Sequence, residues 1–348
     1  MTVETIKGLQ VKLEEAEEIR KYLYKNRLLR DDYKIKAEKG YVYLPIRNLV
    51  KKTLKSCKIV NKEFEKKEKI SKSYKEILTL PTILKDILPT SYDIIGHIIL
   101  IKLSEGLLEY KKDIGNALLK SHKNVKTVCL SQPVRGELRT RNIEVIAGKK
   151  LTQTIHREYG LHFFLDISKT YFSPRLANER KRVANLVKPG ETVVDMFAGV
   201  APFSIMIAKY ASPKIVYAID KNKDAVTYAR QNINYNKVVD KVEVYNQDAK
   251  NIDKILQKKN VKADRVIMNL PFSAYLFFPY ALKIVSSKCT IHYYDIVREN
   301  GISNVTSKLE SKARENGTVL TTLEVRKIKT YAPREFYIGI DITAKKKK

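Results

Sequence analysis

Val193-Val194-Asp195-Met196-Phe197-Ala198-Gly199-Val200-Ala201-Pro202-Phe203-Ser204 is an apolar run that ends in an acid, turns through small residues and enters a helix at Pro202. A strand that turns this tightly into a helix brings backbone amides to a point where a nucleoside-bearing cofactor can lie. Outward from it, Val216-Tyr217-Ala218-Ile219-Asp220 reads as a second strand closed by a carboxylate. Val242 to Asn246 is a third, followed by Asp248, and Arg265 to Asn269-Leu270-Pro271 is a fourth, ending in an amide and a proline. In an open α/β sheet the ligand sits beyond the carboxyl ends of the strands, where the strand order reverses, and these polar residues all fall there.

The ordered set of strand ends implies S-adenosyl-L-methionine as cofactor. Asp195 is expected to fix the turn and orient the methionine end, and Phe197, Ala198, Gly199 and Val200 to line the bend. Asp220 is placed to accept from the ribose hydroxyls, Asp248 to take the adenine amino group, and Asn269 to border the cofactor. The dinucleotide pattern of three spaced glycines is absent, which disfavours a nicotinamide oxidoreductase.

The chain has 348 residues, more than a single core usually holds, so two or three domains are expected. Its 67 Lys and Arg against 38 Asp and Glu leave a net charge of +29, an excess that attracts polyanions. Nucleic acid is the leading partner. Cys57, Cys129 and Cys289 are isolated, so neither a disulfide framework nor a zinc ribbon is indicated, and a reducing cytoplasm fits. His156 and His292 have no partner at metal-ligand spacing, so no metal is expected. No signal peptide or membrane span is legible, and no obligate protein partner is evident.

Residues 11 to 28 have helical spacing and Gly40 to Ile46 reads as a strand, an opening α+β module over residues 1–70. Between Lys51 and Lys75 stand ten Lys against three Glu, which reads as a solvated linker or RNA-facing edge near residue 70. Tyr92 to Lys102 reads as one apolar strand, then a helix from about Glu105 to Leu119, then strands near Val125–Cys129 and Ile143–Ala147. This is a second α+β module, over residues 71–162. Residues 163–348 alternate strand and helix as a doubly wound, Rossmann-like α/β domain, closed by a hairpin whose strands flank Lys329 to Arg334.

Several further motifs carry a resemblance. They are Leu138-Arg139-Thr140-Arg141, Glu144 to Gly148, Thr154 to Gly160, Tyr171-Phe172-Ser173-Pro174-Arg175 through Glu179-Arg180, Asn269-Leu270-Pro271, Ile291 to Tyr294, and Tyr331 to Glu335. With the Asp195 turn, this set resembles the archaeal and eukaryal tRNA guanine-37 N1-methyltransferase family nearly end to end. The resemblance implies an N-terminal domain that recognises tRNA, a middle domain and a C-terminal methyltransferase domain. It also implies that Glu179 is the general base, Arg139 the cation at the guanine oxygen, and Asn269 with Pro271 the clamp on the base edge. Tyr171 would stack on or position the extruded guanine.

Alkylating a protonated ring nitrogen requires a base, charge stabilisation at the neighbouring carbonyl and an in-line donor, and these residue types suit those tasks. Asn269-Leu270-Pro271-Phe272 departs from the Asn-Pro-Pro-Tyr signature of amino-methylating enzymes, which fits a ring-nitrogen target better. Arg141, Arg175, Arg180, Arg182 and Lys209 are expected to meet anticodon-stem phosphates. Two other readings stay open: methylation of the tricyclic wyosine precursor at the same position, and an RNA-binding protein without activity. Ala201 stands where the guanine-specific pattern usually has Gly.

Overall fold

The computed structural model describes residues 3–47, 57–66, 73–135 and 140–346. The chain divides into two compact units, Met1–Glu76 and Ile77–Lys348. In the first unit β1 (Val3–Lys12), β2 (Lys36–Glu38), β3 (Tyr41–Pro45) and β4 (Lys58–Glu65) form an antiparallel sheet in the order β2-β3-β1-β4. The helix Ala16–Lys25 buries Ile19 and Leu23 against Leu9, Val11 and Leu44. It is shorter than the expected 11–28 because Val11 and Lys12 are held in the ladder opposite Val42 and Tyr41. The lysine-rich stretch expected as a linker contains β4: Phe64 is buried, and a Cβ on Gly8 would lie 2.7 Å from its ring, so the glycine makes room for it. The expected boundary near residue 70 lies outside the described residues.

The second unit opens with β5 (Asp93–Ile95), β6 (Ile98–Ile101), β7 (Thr127–Arg135) and β8 (Thr140–Gly148), in the order β5-β6-β7-β8. The apolar run Tyr92 to Lys102 is two antiparallel strands rather than one, because the chain reverses at Gly96, φ +56°. A Cβ there would come within 2.4 Å of the Ile155 carbonyl oxygen, so glycine alone permits this approach. The helix that follows spans Lys111–Ser121, after a 3-10 turn at Glu105–Leu107, later than the sequence suggested.

β9 (Gln153–Glu158) and β10 (Leu161–Asp166) form a hairpin turned by Tyr159 and Gly160, both at positive φ. The domain boundary expected at residue 162 falls inside this ladder. The free side of β10 is finished by two asparagines from the helix Lys223–Tyr235 and its C-cap. Asn232 accepts from the Phe164 N–H (2.7 Å) and donates to the Phe164 carbonyl (3.1 Å). Asn236, four residues on, does the same for His162 at 3.0 and 2.8 Å. Side-chain amides thus stand in for a neighbouring strand.

The main sheet holds β11 (Thr192–Asp195), β12 (Ile215–Asp220), β13 (Val242–Asn246), β14 (Ala263–Met268), β15 (Val285–Arg298), β16 (Thr318–Ala332) and β17 (Glu335–Lys346). Among the described residues its order is β13-β12-β11-β14-β15-β17-β16. β11 to β15 run parallel and β17 pairs antiparallel with both β15 and β16, the closing hairpin expected from the sequence. Side-chain alternation feeds two cores: Val193, Val216 and Ala218 face one, with the helices Ala177–Leu186, Pro202–Tyr210 and Lys223–Tyr235. Val194, Tyr217 and Ile219 face the other, with the helices Ile252–Lys258, Ala274–Ile284 and Ile302–Glu315. Order reverses at β11, so the cleft between the carboxyl ends of β11 and β14 is where a ligand would sit. No helix among the described residues is long and apolar enough to cross a membrane.

Asn232 is fully buried and also donates to the Val200 carbonyl at 3.1 Å. Asn232→Ala would leave buried backbone groups of both elements unpaired, so stability should fall by about 3 kcal/mol, read as a lower urea midpoint. An unchanged midpoint would remove this amide from the account of how the hairpin is held.

Candidate active site

The turn after β11 is built by backbone pairing. Met196 N–H donates to the Ile267 carbonyl of β14, and Ala198 N–H to the Ile219 carbonyl of β12. Gly199, φ +55°, donates to Asp220 Oδ2 at 2.6 Å, and Asp220 Oδ1 accepts from Asn222 N–H at 2.8 Å. Burial pushes the Asp220 carboxyl up against these two amides. An ionised carboxylate has about four acceptor sites, so two remain for a ligand. Ala201 is also left-handed, φ +66°, and fully buried, holding without a glycine a bend that glycine would adopt more easily. Val200 is fully buried in one core, and Phe197 packs edge to face on Phe277 at 5.1 Å.

Asp195 is 1% exposed. Its Oδ2 accepts from Ser204 Oγ at 2.9 Å, and its Oδ1 is enclosed without a hydrogen-bond partner among the described residues. Burial pushes this carboxyl up to about 7, against the Ser204 hydrogen bond and with help from the Asp220 charge. Asp248, after β13, caps the next turn through Lys250 N–H at 2.9 Å.

At the end of β14, Asn269 Oδ1 accepts from the Tyr337 hydroxyl of β17. Pro271 is buried in the turn that leads into the helix Ala274–Ile284, where Ala274 N–H donates to the Leu270 carbonyl at 2.7 Å. The Tyr171 backbone carbonyl runs 3.8 Å from the point a Cβ on Gly199 would occupy, which sets Tyr171 beside the turn.

Glu179, on the helix Ala177–Leu186, is buried and multiply bonded. Its Oε1 accepts from Arg182 at 2.8 Å, from the Tyr294 hydroxyl at 2.8 Å and from Arg326 at 3.2 Å. Its Oε2 accepts only from Arg182 Nε at 2.9 Å among the hydrogen bonds of the described residues, and so keeps acceptor capacity. Burial opposes ionisation, yet the hydrogen bonds from Arg182 and Tyr294 and the two arginine charges hold the carboxyl below its usual value. Tyr294 lies 6.1 Å, ring to ring, from Tyr337, so two aromatic rings connect Glu179 to Asn269.

The structure corrects two of the expected phosphate contacts. Arg180 is 2% exposed and gives its donors to Glu158 (both at 2.7 Å) and to the Ser173 carbonyl at 2.9 Å, so it faces the interior. Arg182 bridges Glu179 and Asp341, the latter at 2.9 Å, and serves the carboxylates rather than the surface. Arg175 is the more accessible, 42% exposed and paired with Asp93 at 2.6 Å. Lys209 reaches the Asn236 carbonyl at 3.2 Å. Arg141, in β8, pairs through its backbone with Val134 of β7, and Arg139 lies outside the described residues.

The two histidines take structural partners. His156 accepts from Gly96 N–H at 3.2 Å and packs on Phe172. His292 meets Arg265 through Nε2 and Asp341 through Nδ1, both at 2.7 Å. An arginine only donates, so Nε2 accepts, Nδ1 carries the hydrogen and the ring is neutral. Burial, ahead of the pull of Asp341, lowers its affinity for a second proton.

Sequence reasoning missed Arg326, Asp341, Tyr337 and the Arg265–His292 link. A signal existed: Asp341 interrupts the apolar run Tyr337 to Ile342, and Arg265 interrupts β14.

Family models match most of the chain. Residues 154–321 match the TRM5/TYW2 methyltransferase domain, 74–152 the TYW2 N-terminal domain, and 8–55 the tRNA methyltransferase 5 N-terminal domain. The chain is 41% identical over 336 residues to the tRNA (guanine(37)-N(1))-methyltransferase Trm5b of Pyrococcus abyssi, covering 96% of this chain and 98% of that protein. The crystal structure of wild-type Trm5b from Pyrococcus abyssi superposes with a TM-score of 0.74 at 39% identity, covering 98% of this chain and 99% of that one. A complex of aTrm5 with tRNALeu superposes with a TM-score of 0.71 at 36% identity, covering 97% and 99%.

A carboxyl whose value is raised on folding contributes stability at low pH that is lost as pH rises through the folded value. For Asp195 that loss begins above the ordinary carboxyl range and is complete once the pH passes about 7. Asp195→Asn removes the titration, so its stability relative to the parent should rise from pH 5 to pH 8 by on the order of 2 kcal/mol. Calorimetry without ligand at the two pH values checks this; equal differences at both would contradict it.

Proposed function

The chain belongs to the TRM5/TYW2 methyltransferase family, and from that premise we propose that it transfers a methyl group from S-adenosylmethionine to N1 of guanosine 37 of tRNA. The observation that carries this reading is the buried, ionised Glu179, linked through Tyr294 and Tyr337 to Asn269 at the strand-order reversal. Its setting is a cytoplasmic one.

The residues present fit the cofactor. Asp195 has an enclosed oxygen without a partner among the described residues, Asp220 has free acceptor sites, and Gly199 brings the main chain close. Asp195 would hold the methionine end, Asp220 the ribose hydroxyls and Asp248 the adenine amino group, with Phe197, Ala198 and Val200 shaping the bend. When bound, the cofactor supplies an electrophilic methyl on a sulfonium. Every other task falls to the protein. Asn269 and the Pro271 turn grip the Watson–Crick edge of the extruded guanine, Tyr171 positions its ring, and Arg139 stabilises negative charge on the carbonyl oxygen.

The N1 proton passes to Glu179 Oε2, the oxygen with acceptor capacity left, as N1 takes the methyl group. Arg182 and Arg326 keep that carboxylate ionised until the proton arrives. Because they also lower its basicity, guanine entry must loosen at least one of these contacts. Arg175 and Arg141 meet backbone phosphates and set register rather than sequence preference.

Glu179→Gln should lower the single-turnover rate about 100-fold or more with tRNA affinity nearly unchanged. Parental rates in this variant would take Glu179 out of the mechanism. A transcript with guanosine at 37 should accept label from the methyl donor, and one with another base there should not; equal labelling would defeat the substrate assignment. A second reading, methylation of the tricyclic wyosine precursor at the same position, is favoured by 32% identity over 258 residues to the tRNA 4-demethylwyosine(37)-methyltransferase Taw21 of Saccharolobus solfataricus and by Ala201 in the cofactor turn. Nucleoside mass spectrometry on unmodified and precursor-bearing tRNA separates the two.

A further inference from the structure

Phe272 and Tyr331 are 60% and 50% exposed, and their rings meet edge to face with centroids 5.6 Å apart and planes at 73°. Phe272 follows Asn269-Leu270-Pro271 directly, and the chain holds it with φ at +71°, a conformation unfavourable for a residue with a side chain. The restraint is Asp295 of β15: its Oδ1 accepts from Phe272 N–H at 2.9 Å, and its Oδ2 from the Tyr293 hydroxyl at 3.1 Å. Tyr331 comes from the end of β16, beside a turn in which Arg334 also has positive φ, +61°. Two elements distant in sequence thus present aromatic faces to solvent beside the clamp residues, where hydrophobicity alone would bury them.

The surroundings suit a polyanion more than an apolar partner. Arg298 and Arg334 are exposed near the same hairpin tip: Glu335 stands opposite Arg298 in one ladder and opposite Ala332 in the other. Lys327, paired with Glu299, is exposed further along β16, Arg298 reaches Glu335 at 3.8 Å, Arg334 lies beside them at the tip, and the whole chain carries +29. A strand whose target base has been extruded leaves its neighbours unstacked, and unstacked bases bind aromatic side chains.

We propose that Phe272 and Tyr331 form a stacking platform for a nucleobase next to the target guanosine, holding the RNA strand open at the mouth of the cleft. The assignment rests on the RNA-substrate reading above.

The experiment uses the full chain and a tRNA transcript with guanosine at 37, with 2-aminopurine placed at either flanking position for fluorescence. Phe272→Ala and Tyr331→Ala should each raise the KM for tRNA about tenfold, the usual order for one lost base stack, and abolish quenching of a flanking 2-aminopurine. Cofactor affinity and melting temperature should stay at parental values. Phe272→Trp and Tyr331→Phe, which keep a π face, should retain parental KM. Parental KM and parental quenching in both alanine variants would overturn the platform. So would a sedimentation result in which these variants lose self-association while their KM for tRNA stays parental, since that assigns the surface to a second copy of the chain. If the parent binds the transcript but leaves guanosine 37 unmethylated, the catalytic reading fails, while quenching and affinity still decide the platform.

Discussion

A buried network of charges beneath the cleft is the constraint to which the site is tied. Glu179, Arg182, Arg326 and Asp341 are joined in a ring of ion pairs between 2.8 and 3.2 Å. Asp341 continues through His292 to Arg265, which ends on Glu191 at 2.7 Å and on the Leu186 carbonyl. Each charge taken from water here would cost several kcal/mol alone and is tolerated because its neighbours compensate it. The network therefore demands that the helix Ala177–Leu186 and strands β14 to β17 all be in register before Glu179 is correctly held.

The arrangement has a consequence for chemistry. Asp341 shares both arginines with Glu179, so neither guanidinium is committed to the candidate base alone. Glu179 stays ionised in a buried position, and its Oε2 retains room for a proton. Gly339 is part of the same fit, because a Cβ there would crowd Tyr294, Arg326 and Ile328 at 3.0–3.2 Å.

The cofactor end depends on a different constraint, the reversal of strand order at β11. Backbone hydrogen bonds from the turn reach β14 on one side and β12 on the other, which ties Asp195, Gly199 and Asp220 to a single geometry. The small hairpin of β9 and β10 is attached to the same unit by Asn232, which also holds the Val200 carbonyl of that turn. Core packing and cofactor turn thus share a residue.

Much of this was legible in the residues themselves. Continuous apolar runs ending in Asp195, Asp220 and Asn269 determined a parallel sheet with its polar ends on one side, because an unbroken apolar strand and the chemistry of its end are local properties. Motif order along the chain determined the family. What sequence could not decide was which charges meet: Arg180 and Arg182 are neighbours of Glu179 in the chain, yet one turns inward to Glu158 and the other bridges to Asp341, 159 positions away. Direction of a side chain from a helix, the break at Gly96 and the pairing of Phe272 with Tyr331 depend on what packs opposite. Only the assembled sheet supplies those partners, since burial and ion pairing are set by neighbours distant in sequence.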